Sequence, residues 1–162
     1  MVAYTHKDVP VPLLLNYSRL CPMVEVRKYD FTNLPEHVER NLFNYAFKPI
    51  MIQRFIKEAD RFMFIDASII FQKGANDTIK SLFDSMEEFP CGIRHVQSAK
   101  HTVFSATNPE TLKHFNFSEE QAKNSEMIAS GLYILSKTNE SEEIVNKWAD
   151  CAMVEECMSP PG

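Results

Sequence analysis

The residues best placed for chemistry are an Asp-Ala-Ser triplet, Asp66 to Ser68, that directly follows the large apolar residues Phe62 to Ile65. A run of this kind predicts a strand buried on both faces, and ligands in open α/β sheets bind outside the carboxyl ends of strands. A carboxylate at such an end needs a metal ion, a cation or several N–H donors to offset its lost hydration. Asp66 is therefore a candidate ligand-binding residue, and the alternative is that it merely caps the following turn.

A second candidate, Lys48, precedes Pro49 at the predicted start of a helix. Proline suits the first helical position, and apolar residues at positions 52, 55, 56 and 59 then form one helix face. A cation is mildly unfavourable at the positive end of the helix macrodipole. A lysine at this place makes sense if it and the helix both serve one anion, such as a phosphate. The alternative is an ordinary solvated lysine.

The elements that must position these residues alternate between strand and helix. The predicted strands are Val24 to Val26, Phe62 to Ile65, Gly92 to Val96 and Leu132 to Leu135. The predicted helices are 49–60, 77–88, a short helix from Pro109, one that Ser118 and Gln121 open as a capping box, and a last one carrying Ile144, Val145, Trp148 and Ala152. This alternation is typical of an α/β domain with a largely parallel sheet.

Composition narrows the classes of function. The chain has 162 residues, 44% hydrophobic and 24% charged, which is ordinary for a single globular domain. Its 17 basic and 22 acidic residues give a net charge of −5, which argues against binding to nucleic acid. No apolar run approaches the ~20 residues of a membrane span, so a membrane anchor, if there is one, is expected outside this sequence. Serine-hydrolase, P-loop and dinucleotide-binding motifs are absent from the sequence.

Sequons and cysteines indicate the secretory pathway. The chain would lie in the lumen of the Golgi or the ER, or it would be secreted. Four N-x-[ST] sequons occur, more than the roughly one expected by chance, at Asn16, Asn76, Asn116 and Asn139. The cysteine count is even, as in disulfide-bonded proteins. Cys151 and Cys157 could form a disulfide only if the last helix ended near Met153 or Val154, because six helical residues span ~9 Å. Free thiols are the alternative.

Several segments, in order over roughly residues 25–162, form a recognisable pattern. They are Lys28-Tyr29-Asp30-Phe31, Pro35-Glu36-His37-Val38, Tyr45-Ala46-Phe47-Lys48-Pro49, Phe64-Ile65-Asp66-Ala67-Ser68-Ile69, His101 to Pro109, Glu126 to Gly131, Trp148 to Ala152 and Cys157-Met158-Ser159-Pro160. Together they resemble a nematode-expanded family of uncharacterised proteins that looks like nucleotide-diphospho-sugar transferases of the GT-A type.

The resemblance implies a GT-A-like (Rossmann-like) fold, a mostly parallel sheet with flanking helices. Asp66-Ala67-Ser68 would take the place of the Asp-x-Asp motif, so that Asp66 and Ser68 hold a divalent cation, which is usually manganese in such enzymes, against the diphosphate of a nucleotide-sugar. Lys48 would lie near that diphosphate, and Gly131 would allow close approach of donor or acceptor. A glycan or protein would be the acceptor.

Two departures from the family pattern stand out: Ser68 replaces the second carboxylate, and Asn108 stands where the family has histidine. The resemblance also implies that residues 1–162 are a single partial domain, without a first nucleotide-binding strand before Val11 and without the family's C-terminal end. It therefore assigns no catalytic base. The leading hypothesis is a glycosyltransferase that uses a nucleotide-sugar donor. The alternative is a non-catalytic, degenerate transferase-fold domain that binds glycan or protein.

Overall fold

A computed structural model of the chain describes residues 1–72 and 79–160. Two units, Met1–Leu34 and Pro35–Gly162, are described here one at a time. The predicted α/β class is confirmed, because helices are combined with one small parallel sheet and with antiparallel sheets. The predicted largely parallel sheet is not observed: among the described residues, only the two strands of the first unit pair in parallel.

The first unit is a strand–helix–strand motif. Strand β1 (Val2–Thr5) leads into helix α1 (Val11–Leu20) and then into β2 (Glu25–Lys28). The two strands pair in parallel, with Val2 opposite Glu25. Strand β1 lies before Val11.

The second unit contains two antiparallel sheets with short helices between their strands. Its strands are β3 (Arg61–Ile65), β4 (Ile93–His95), β5 (Ser98–Thr102), β6 (Glu126–Ile128) and β7 (Leu132–Ser136). Its α-helices are α2 (Glu36–Arg40), α3 (Phe47–Phe55), α4 (Ile79–Asp84), α5 (Val103–Ala106), α6 (Pro109–His114), α7 (Glu119–Asn124), α8 (Asn139–Ala152) and α9 (Glu155–Met158), with 3₁₀ turns at Leu42–Asn44 and Ser85–Glu88. Among the described residues, no helix has the length and apolar character needed to cross a membrane.

Strand β7 lies between β3 and β4 in the larger sheet, antiparallel to both. The β3–β7 register places Ile65, the last residue of β3, opposite Leu132, the first of β7. The carboxyl end of β3 therefore meets the start of β7, just after Gly131. The second sheet pairs β5 with β6.

The core of the second unit lies between the larger sheet and helices α3 and α8. Alternate side chains of β7 point to one face, as the period of a strand requires. Tyr133 and Leu135 share a buried cluster with Val145 from α8 and with Ile52 and Ile56 from the α3 segment. This packing holds α3 against the sheet and so fixes the position of its first turn, which contains Lys48.

Helix α3 differs from its predicted boundaries at both ends. It begins at Phe47, so Pro49 is its third residue and Lys48 lies inside the first turn. Proline is tolerated there because N–H groups in the first turn have no intrahelical acceptor. The helix ends at Phe55 and not near Asp60, although Ile56 still packs in the core. Helix α4 covers the middle of the predicted 77–88 helix, and residues 77 and 78 lie outside the described residues.

Helix α8 ends where a disulfide between Cys151 and Cys157 requires. The helix stops at Ala152, the chain turns at Met153, and the two Cα atoms lie 5.3 Å apart. The disulfide joins the end of α8 to α9, the following short helix. Cys21 and Cys91 are free thiols.

Candidate functional site

The carboxyl end of β3 fixes the backbone of Asp66. The Asp66 N–H donates to the carbonyl of Gly131 at 2.8 Å, which extends the β3–β7 pairing by one step. The N–H of Ile69 donates to the Asp66 carbonyl at 3.0 Å and closes a turn. Asp66 is therefore held by the sheet on one side and by the turn on the other.

Lys48 and Asp66, predicted independently from their positions in the sequence, form an ion pair. The Lys48 Nζ lies 2.7 Å from Asp66 Oδ1 and 2.8 Å from Oδ2. The side chain of Lys48 is 10% exposed and that of Asp66 is 28% exposed. The ammonium group thus contacts both carboxylate oxygens in a setting with little water, where a charged hydrogen bond is strong.

Aromatic rings surround the ammonium group of Lys48. Its Nζ lies 4.5 Å from the ring centroid of Tyr45 and 5.8 Å from that of Phe64, within the range of cation–π attraction. Tyr45 has a left-handed backbone with φ of 58°, which is uncommon for a residue other than glycine. Its carbonyl accepts the N–H of Lys48 at 3.0 Å, and its side chain is half exposed. Tyr45 therefore covers Lys48 and presents an aromatic ring to solvent.

Gly131 lies directly beside the carboxylate. A Cβ at this position would lie 3.6 Å from Asp66 Oδ2 and 3.6 Å from Ile69 Cδ1, which are ordinary contact distances. The space would admit a methyl group, so steric exclusion does not explain the glycine. Its absent side chain leaves one side of the Asp66 carboxylate uncovered.

Tyr133 belongs to the same site, and the sequence analysis did not single it out. Its ring stacks on Phe64 with centroids 4.9 Å apart, and its side chain is fully buried. Burial, followed by the negative charge of Asp66, raises the pKa of Tyr133. Its hydroxyl has no hydrogen-bond partner within the described ranges 1–72 and 79–160. Its position two residues after Gly131 was the only sequence signal that could have indicated it.

The residues predicted to hold a divalent cation do not fit one as they lie. Both Asp66 oxygens contact Lys48, and Ser68 is exposed in the turn. Hard divalent cations require several oxygen ligands. In the described part of the chain, no three His, Cys, Asp or Glu side chains come together as a metal-binding group.

Asn108 and the pair of Ser118 and Gln121 cap short helices of the second unit. Asn108 caps α6, because its side chain accepts the N–H of Glu110 at 2.9 Å. Of the glycosylation candidates, Asn16, Asn116 and Asn139 are exposed, whereas Asn76 lies outside the described residues. The capping box of Ser118 and Gln121 is present at the start of α7.

Comparison with known proteins adds no relative. No protein-family model, no curated protein and no solved structure matches the chain. The resemblance to GT-A transferases stays a prediction from the sequence segments that carry it.

Proposed function

We propose that this chain is a glycosyltransferase-like domain that receives the diphosphate of a nucleotide-sugar at the carboxyl end of β3. The observation that carries the proposal is the ion pair of Lys48 with Asp66 beside Gly131. Three residues singled out from separate parts of the sequence come together at one strand end.

The local charges give a physical reason for an anion at this place. Lys48 lies in the first turn of α3, where the N-terminal N–H groups carry partial positive charge. An ammonium group has three N–H donors, and the two Asp66 oxygens accept two of those of Lys48. The remaining donor would meet a phosphate oxygen, in the positive field of the α3 terminus. Asp66 would orient Lys48 and accept a hydroxyl of the sugar.

The compartment is part of the proposal. A disulfide between Cys151 and Cys157 is typical of an oxidising environment, and the exposed sequon asparagines could carry glycans there. We propose the secretory pathway as the location, with a glycan or a protein as acceptor.

Calorimetric titration of the full chain with a panel of UDP-sugars tests this function. We expect saturable binding that Lys48→Met weakens by at least about tenfold, since one charge-assisted hydrogen bond is worth about 1.5–3 kcal/mol. Lys57→Met is the matched control, because Lys57 is an exposed lysine just beyond α3. Equal binding by the two variants, or no binding by the unaltered chain, would reject the proposal.

A second candidate is a non-catalytic domain that binds glycan or protein. It is favoured by the ion pair itself, since the positive charge of Lys48 compensates the negative charge of Asp66. The half-exposed ring of Tyr45 could stack on a sugar ring. Binding to a glycan array that Tyr45→Ala abolishes, without affinity for any UDP-sugar, would favour this candidate over the first.

A further inference from the structure

The ion pair at the end of β3 differs from the metal site that the sequence led us to expect. A divalent cation would need the oxygens of Asp66, and both already lie within 2.8 Å of Lys48 Nζ. Lys48 cannot easily turn away, because the ring of Tyr45 lies 4.5 Å from its Nζ and its side chain is 10% exposed.

We infer that Lys48 takes the place of the divalent cation at the Asp66 carboxylate, so that an anionic ligand at this strand end is bound without metal. The part of the inference that concerns a donor diphosphate rests on the proposed function. The part that concerns the Asp66 carboxylate, whose partner is Lys48 and not a metal ion, does not rest on it.

Electrostatics supports this arrangement. A metal ion entering beside Lys48 would bring two positive charges to within a few ångströms of a third, in a setting that screens them weakly. Ser68 adds a neutral hydroxyl in place of a second carboxylate, which leaves no further negative charge in the triplet to offset that repulsion. A lysine ammonium provides directed hydrogen-bond donors and one positive charge. The single negative charge of Asp66 balances that positive charge.

The first experiment removes the lysine and asks whether a metal site appears. Lys48→Met keeps an unbranched side chain for contact with Tyr45 and Phe64 and frees the Asp66 oxygens. We expect Mn²⁺, followed by electron paramagnetic resonance and by thermal melting, to bind Lys48→Met and raise its Tm by about 5 °C near saturation. The rise should be absent from Lys48→Met/Asp66→Asn and from Lys57→Met, which removes an exposed lysine beyond α3.

A second measurement leaves Lys48 in place and compares the unaltered chain with Asp66→Asn. We expect Asp66→Asn to leave its Mn²⁺ binding unchanged, because Asp66 contributes no metal ligand. Mn²⁺ binding that Asp66→Asn removes from the unaltered chain would overturn the inference.

UDP-sugar binding separates this inference from the proposed function. Affinity within about twofold in EDTA and in Mn²⁺ supports both, since twofold is well below the ~1.4 kcal/mol of a tenfold change. Affinity that requires Mn²⁺ overturns the inference and leaves the function standing. If no UDP-sugar binds, the proposed function fails, and the Mn²⁺ measurements still decide whether Lys48 replaces the cation.

Discussion

Two lysine–carboxylate pairs with the same separation lie in contrasting surroundings. Lys48 Nζ is 2.7 Å from Asp66 at the end of β3, and Lys147 Nζ is 2.7 Å from Glu143 on the outer face of α8. The first pair has side chains 10% and 28% exposed, the second 67% and 66%. Distance alone therefore does not separate a functional candidate from a surface pair, and the surroundings of the charges do.

The difference is one of solvation. Water and ions screen the pair on α8, and such pairs contribute little to stability. At the end of β3, each charge has lost much of its hydration and depends on its partner.

Asp66→Ala should lower the free energy of unfolding by about 3 kcal/mol, because it leaves the mostly buried Lys48 without a counter-charge. Lys48→Met should cost less, since the Asp66 side chain is more exposed and can regain water. Urea denaturation measures both, with Asp60→Ala as the exposed control. Losses of equal size for Asp66→Ala and Asp60→Ala would contradict the account.

The disulfide at the end of α8 should stabilise this region more than the charges on its surface. Replacing both Cys151 and Cys157 by serine opens a short loop, and we expect a loss of about 2 kcal/mol in the free energy of unfolding. Cys91→Ser, at a free thiol in the same unit, should change it little. If the double variant melts at the Tm of the unaltered chain, α8 does not depend on this link.

Tyr133→Phe should leave stability at neutral pH unchanged or raise it by up to about 1 kcal/mol, because the buried hydroxyl is unpaired within the described residues. The pKa of Tyr133 is raised in the folded state. The unfolded chain therefore releases this proton first as pH rises through about 10, and stability falls. Tyr133→Phe should flatten that fall.

Denaturation between pH 8 and 11 measures the Tyr133 effect, with exposed Tyr17→Phe as the control. A clear loss of stability in Tyr133→Phe at neutral pH would indicate that the hydroxyl has a partner and would contradict the prediction.

Glu143→Gln should change the Tm by less than about 1 °C. The hydrogen bond from Lys147 lowers the pKa of Glu143, so its small stabilising effect is present above the unfolded pKa and fades as pH falls. Melting curves at low and high salt measure it, and salt should erase the effect. A loss comparable to that of Asp66→Ala would remove the distinction between the two pairs.

Much of the larger sheet could be predicted from sequence because its strands are apolar and bounded by turns. Strands β3 and β7 and the buried face of α8 follow directly from such patterns. Strands β5 and β6 could not be predicted, since Ser98–Thr102 and Glu126–Ile128 are short, half polar and without alternation. The antiparallel direction of β7 could not be predicted either, because an alternation of helices and strands is compatible with both parallel and antiparallel pairing.

The site could be predicted in its residues more than in its contacts. Lys48 and Asp66 each stood out by position, one at a helix start and one at a strand end. That they bond to each other depends on α3 packing over β3, which a sequence pattern does not specify. Tyr133 was missed because a tyrosine in an apolar strand looks like any core residue.

Calorimetry of the full chain with UDP-sugars, once in EDTA and once in Mn²⁺, tests whether Lys48 replaces the metal ion in ligand binding. We expect binding of similar affinity in both buffers and its loss in Lys48→Met but not in Lys57→Met. Binding that requires Mn²⁺, or binding indifferent to Lys48, would contradict the claim that the ammonium group at the end of β3 receives the ligand.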